Sequence, residues 1–216
     1  MAGHSSVRED SSALSRADRA LFRVESGLNL AAGVVVFALM LLAVAQIMGR
    51  KLFNVPVPGF IDWVEQAMAV FAFLGIAYCQ RVGGHIRMDI LIGRLTGRAL
   101  WVAELISTVL MLLLTLALTV GAFRHFQRAF DWNATWFSRD SSIDIALPLW
   151  PAKLLVPLAL GLLALRLALQ IWGFWRALRD DDDAPVAVPL IESAAEVAAA
   201  EAETVIGEPV GERERG

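Results

Sequence analysis

Few side chains in this sequence are equipped for chemistry, and their spacing limits what they could do. Asp62 and Glu65 stand three residues apart, so a helix puts both carboxylates on one face. They follow Pro56, Pro58 and Gly59, which places them in the first turns of that helix, where its dipole favours acids and where Arg50 or Lys51 could pair with them. Functionally, the two acids suit contact with another protein at the membrane surface. A proton or cation site fits less well, because such sites lie near mid-membrane with several ligands. Glu104 and Arg166 fall at matching depths in two apolar stretches, which points to an intramembrane ion pair or joint capture of a lipid headgroup, with independent snorkelling as the plain alternative. His85, Arg87 and Asp89 share the segment Gly83-Gly84-His85-Ile86-Arg87-Met88-Asp89 and could do acid/base work or hold an anion, but no second His or deep apolar pocket accompanies them. A turn orienting two helices explains that segment better. Cys79 is the only cysteine, which excludes an intramolecular disulfide framework, and three scattered His exclude most metal sites and paired-His haem ligation. No cofactor is expected, and the bases are too dispersed for nucleic acid.

The elements that must position these residues are membrane spans. Of 216 residues, 57% are hydrophobic. A spanning helix needs about 20 mostly apolar residues to cross about 30 Å of hydrocarbon. Four stretches qualify, at about 28–48, 60–80, 101–123 and 149–175, so the fold class is an all-α integral membrane protein with four transmembrane helices. The second stretch needs Asp62 and Glu65 at its interface, and the fourth must carry Lys153, Arg166 and the kink-prone Pro157. None of the seven Trp is expected mid-span. Trp63, Trp101, Trp150, Trp172 and Trp175 fall at helix ends, whereas Trp132 and Trp136 lie in the third loop beside Phe130 and Phe137, suited to an interface or to headgroups.

Orientation follows from the short-loop arginines and lysines. The N-terminal tail, the second loop and the start of the C-terminal tail carry ten, and the first and third loops carry five, so both termini are expected in the cytoplasm. The formal charge of -3 hides this division. Residues 180–216 carry 11 acids against Arg213 and Arg215, leaving a basic body and an acidic cytoplasmic tail whose composition reads as disordered and dispensable. Residues 1–13 also read as disordered, and no cleavable signal peptide is apparent. Leu14, Ala17, Leu21 and Val24 suggest an amphipathic interfacial helix or, equally, an N-terminal extension of the first span, within a four-helix membrane domain over 14–179.

The order of these segments resembles a known family. Arg50-Lys51-Leu52-Phe53-Asn54-Val55-Pro56 closes the first span, followed by Trp63-Val64-Glu65, Phe73-Leu74-Gly75 and the Gly-His-Ile-Arg-Met-Asp segment; Ser141-Ser142-Ile143-Asp144-Ile145 and Pro148-Leu149-Trp150 precede the fourth span. Over about Leu21 to Arg176 the chain looks like the small membrane (Q) subunit of tripartite ATP-independent periplasmic (TRAP) transporters, with one Glu plus Asp62 where that family more often has paired acids. The resemblance implies a non-enzymatic scaffold subunit in the bacterial inner membrane. Its implied partners are a large multi-span permease subunit, a periplasmic substrate-binding protein and membrane lipids. The implied activity is uptake of an organic acid by symport with an ion, usually sodium, with no substrate site in this chain. Arg50, Asp62, Glu65, His85, Arg87, Asp89, Trp132, Trp136 and Trp150 are then the candidate partner or lipid contacts. The sequence supports this supporting role, since no span shows a cluster of acids, a broken helix pair or a paired repeat. A stand-alone small transporter and a membrane-bound regulatory subunit are the rival readings.

Overall fold

A computed structural model describes residues 12–81 and 98–180. The disordered stretch expected before Leu14 lies almost wholly outside the described residues, as do the segment holding His85, Arg87 and Asp89 and the acidic tail after Asp180. The described residues form helices, with two isolated β-bridges in one loop, and four helices are long and apolar enough to cross a membrane.

Helix α1 runs without interruption from Ala13 to Met48, capped by Ser12, whose Oγ accepts a hydrogen bond from the Ser15 amide at 3.3 Å. Its 36 residues reach about 54 Å, far more than the hydrocarbon needs. Of the two readings of residues 14–25, the structure has the extension of the first span. A π-helical turn, Gly49–Phe53, then loosens the helix, and Asn54 ends it in the left-handed conformation at φ 55°. The chain folds back as the Gln46 side-chain oxygen accepts the Val57 amide at 2.6 Å.

Helix α2 (Phe60–Leu74) and the short α3 (Ile76–Arg81) make the second span, interrupted at Gly75. Together they cover the span expected at about 60–80, and Gly75 itself keeps right-handed backbone angles, φ -84° and ψ -10°. Gly75 faces α1 closely: a Cβ at that position would stand 3.3 Å from the Asn29 side-chain oxygen. Helix α4 (Arg98–Ala129) keeps its hydroxyls off the lipid by internal bonding. Thr108 donates to the Glu104 carbonyl at 2.7 Å, Thr115 to Met111 at 2.8 Å and Thr119 to Thr115 at 2.7 Å.

Helix α5 (Trp150–Asp180) is the axis of the bundle, packing against α1, α2, α3 and α4. Among the described residues it alone buries a long apolar series, including Leu160, Leu163, Leu167 and Phe174, interleaved with Ala159, Ala164 and Ala177, whose small side chains let backbones approach. By contrast α1 exposes Leu30, Val34, Phe37, Leu41 and Val44, and α4 exposes Ile106, Leu110, Leu113 and Leu114, as lipid-facing helices do. The bundle therefore has a terminal end, near Ala13, Arg81 and Asp180, and a loop end bearing the first and third loops.

Candidate functional site

At the terminal end, one stripe of α1 carries Leu14, Asp18, Leu21, Glu25 and Ala32, all buried. The two acids in it are met by arginines from other helices. Arg166 of α5, fully buried, grips Glu25 with two parallel bonds, Nε to Oε1 at 2.8 Å and Nη2 to Oε2 at 2.7 Å, while its Nη1 donates to Asp18 Oδ1. Arg81 at the end of α3 donates to the other Asp18 oxygen at 2.9 Å and lies over the Phe22 ring, 3.8 Å from its centroid. Beside them the Gln80 amide donates to Gln170 at 2.9 Å. Two arginines and two carboxylates thus form a charge-balanced lock joining α1, α3 and α5. In a low-dielectric site such a lock holds only if each charge keeps its partner.

This overturns the expected pairing of Arg166 with Glu104. All three guanidinium nitrogens of Arg166 are committed to α1, and the side chain does not snorkel. Matched depth fixes height in the membrane but not direction around the α5 axis, and Arg166 points toward α1. Glu104 is buried on α4 and is not among the Arg166 partners.

At the loop end, Asp62 is buried and used differently. Its Oδ2 accepts hydrogen bonds from the Ser142 hydroxyl at 2.6 Å, the Ile145 amide at 2.9 Å and the Asp144 amide at 3.2 Å. Ser142 Oγ in turn accepts the Leu147 amide at 2.8 Å. Neither Arg50 nor Lys51 pairs with Asp62 or Glu65; Asp62 is engaged through Oδ2 by the third loop, and Glu65, three residues on, is exposed. The turn fits because Gly59, at φ 66°, has no side chain: a Cβ there would fall 2.6 Å from Ile145 Cδ1. Gln66 donates to the Pro148 carbonyl at 2.8 Å, fixing α2 to the start of α5.

The rest of the third loop is stitched by polar and aromatic contacts. Lys153, expected to snorkel, binds Asp140 at 2.5 Å and holds its carboxyl below the usual carboxylate range. The Asn133 amide, followed by Arg139, does the same to Asp131. Phe130 is ringed by Trp132, Phe137 and Trp150, and the Trp150 indole donates to the Trp136 carbonyl at 2.9 Å. Trp132 and Trp136 nevertheless expose most of their surface, and Ile143, in the turn held by Asp62, is 97% exposed. Arg50 and Lys51 are exposed at the π-turn.

Sequence reasoning missed Asp18, Glu25, Arg81, Gln80 and Gln170. Asp18 and Arg81 were readable as surface charges and Glu25 as a span boundary. The available signal was the spacing 14, 18, 21, 25 and 32, one continuous helix stripe holding two acids.

No group of three or more His, Cys, Asp or Glu that could hold a metal occurs among the described residues. The two polar clusters bind helices to one another, which defines a four-span helical membrane protein built to hold a shape. The family model for tripartite ATP-independent periplasmic transporters, DctQ component, matches residues 39–177, well over half the chain, and the chain belongs to that family, the small component of TRAP transporters. No curated protein and no solved structure matches it.

Proposed function

We propose that this chain is the scaffold subunit of an uptake system in the bacterial inner membrane. It packs beside a large multi-span permease subunit, which moves an organic acid delivered by a periplasmic binding protein and draws on an ion gradient, sodium in the first instance. Both termini face the cytoplasm, so the Asp18–Glu25–Arg81–Arg166 lock lies on the cytoplasmic side and the Asp62 turn on the periplasmic side.

The observation that carries this reading is where three of the buried acids, Asp18, Glu25 and Asp62, are spent. Asp18 and Glu25 are held by arginines through both carboxylate oxygens, and Asp62 is tied through Oδ2 by a hydroxyl and two amides, so these three acids are engaged in joining helices and loop. Substrate and ion sites then belong to the large subunit. Glu65, Trp132, Trp136 and Ile143, exposed around the Asp62 turn, are the proposed contacts with partners at the periplasmic face, and His85, Arg87 and Asp89 are proposed contacts on the cytoplasmic side.

Co-purification and reconstitution test this. The tagged chain is expected to bring down a much larger multi-span protein, and liposomes holding both to take up an organic acid under an inward sodium gradient when the binding protein is supplied. Transport by this chain alone in liposomes would overturn the reading. Removal of residues 181–216 is expected to leave uptake intact.

A further inference from the structure

Toward the loop end, α1 and α2 border an apolar cleft of about 270 Å³, lined by Val35, Ala38, Leu39, Leu42, Trp63 and Ala67. Its notch comes from the two alanines, one on each helix, and no α5 residue lines it, so it lies on the outside of the bundle. From Val35 to Leu42 it extends about 10 Å along α1, most of the roughly 15 Å depth of one hydrocarbon leaflet. Above it the chemistry changes. Arg50 stands eight residues beyond Leu42, about 12 Å along the axis and so near headgroup level, with Lys51 next to it. Both side chains are exposed and neither forms a hydrogen bond or ion pair with another described residue. The neighbouring Leu52, Phe53 and Val55 are exposed as well, which seats this turn in the interface.

An apolar slot one leaflet deep, topped by two free cations, has the chemistry of a lipid rather than of a soluble ligand. We propose that a phospholipid binds there, one acyl chain in the cleft between α1 and α2 and its phosphate on Arg50 and Lys51. The apolar lining supplies retention, and the cations select phosphate over an uncharged headgroup. The proposal does not depend on the transporter reading, because the cleft and both cations belong to this chain.

Native mass spectrometry of the full chain, titrated with dioleoyl phosphatidylglycerol and with a dioleoyl galactolipid lacking phosphate, tests it. The phospholipid is expected to be retained over the galactolipid by at least about five-fold, the contribution of one basic residue near a membrane surface. Arg50→Ala with Lys51→Ala is expected to erase the preference while leaving retention of the galactolipid. Ala38→Leu and Ala67→Leu, which fill the notch on a lipid-facing surface, are expected to lower retention of both lipids. Equal retention by wild type and all variants would overturn the proposal. So would a chain that retains lipid alone but loses it in the complex while position 38 crosslinks to the large subunit, since the cleft would then be a protein interface.

Discussion

The two ends of the bundle solve the same problem with different chemistry. Each must hold a carboxylate away from water, at a junction between the N-terminal half of the chain and α5 or the loop leading to it. At the terminal end Asp18 and Glu25 are neutralised by formal charges, Arg166 and Arg81, brought from other helices. At the loop end Asp62 is met by a hydroxyl and two backbone amides, dipoles that the loop must present anyway. The first arrangement tolerates no missing member, because one absent partner strands a buried charge. The second degrades gradually, because a turn that loses its acceptor can turn its amides to water. The lock thus specifies how α1, α3 and α5 meet, and the Asp62 turn specifies the shape of the third loop.

Breaking one member of the lock should have the largest effect. Arg166→Leu leaves Glu25 buried without its partner and is expected to cost about 3–5 kcal/mol, the range for a broken buried pair. Thermal unfolding in detergent, followed by circular dichroism, measures it, and failure of the variant to accumulate folded counts as the same outcome. Asp62→Ala at the other end should cost less, about 1–3 kcal/mol for the donors left without an acceptor. It should also raise proteolytic cleavage within 141–147 while leaving the terminal end intact. Gly59→Ala attacks the same turn through the backbone, combining a left-handed φ with a clash against Ile145. It is expected to cost about 1–2 kcal/mol and to be additive with Arg166→Leu, since the sites are far apart.

The smallest effect concerns pH. Asp140 and Asp131 both have folded-state pKa values below the ordinary carboxylate value, Asp140 because of Lys153 and Asp131 because of the Asn133 amide and Arg139. A depressed value means that the stabilisation is present above the unfolded pKa, about 3.9, and is lost as pH falls through the folded value. Melting temperature should therefore drop below about pH 4, and Asp140→Asn should flatten part of that drop. Both groups lie at the surface, so the change is small and should shrink further in high salt.

How much of this was legible in the sequence depends on the kind of signal. Four spans could be read because apolar length is a local property, and the family because its segments stand in order. The charge lock was not legible as a set. Asp18 and Glu25 belong to a helix stripe visible in the sequence, but Arg81 looks like a loop arginine, and only the packing of α3 and α5 brings it and Arg166 to α1. Depth matching suggested Glu104 for Arg166 and failed because it says nothing about azimuth. Asp62 was read as a helix-start acid, which is its position; its use by Ser142 and Ile145 spans 80 residues of chain and follows from how the third loop folds back. The interruption at Gly75 was hidden because one glycine in an apolar run is also compatible with an unbroken helix.

The central claim is that the charges of the Asp18–Glu25–Arg81–Arg166 lock hold the subunit together and take no part in ion coupling. It is tested most directly by gradient-driven uptake through a complex carrying Glu25→Met and Arg166→Met together. That pair removes one charge of each sign and leaves Asp18 with Arg81. The double variant should assemble with the large subunit and transport at close to the normal rate, although Arg166→Met alone is damaged. A double variant that assembles at the normal level but has lost its response to the ion gradient would place Glu25 in the coupling path and contradict the account.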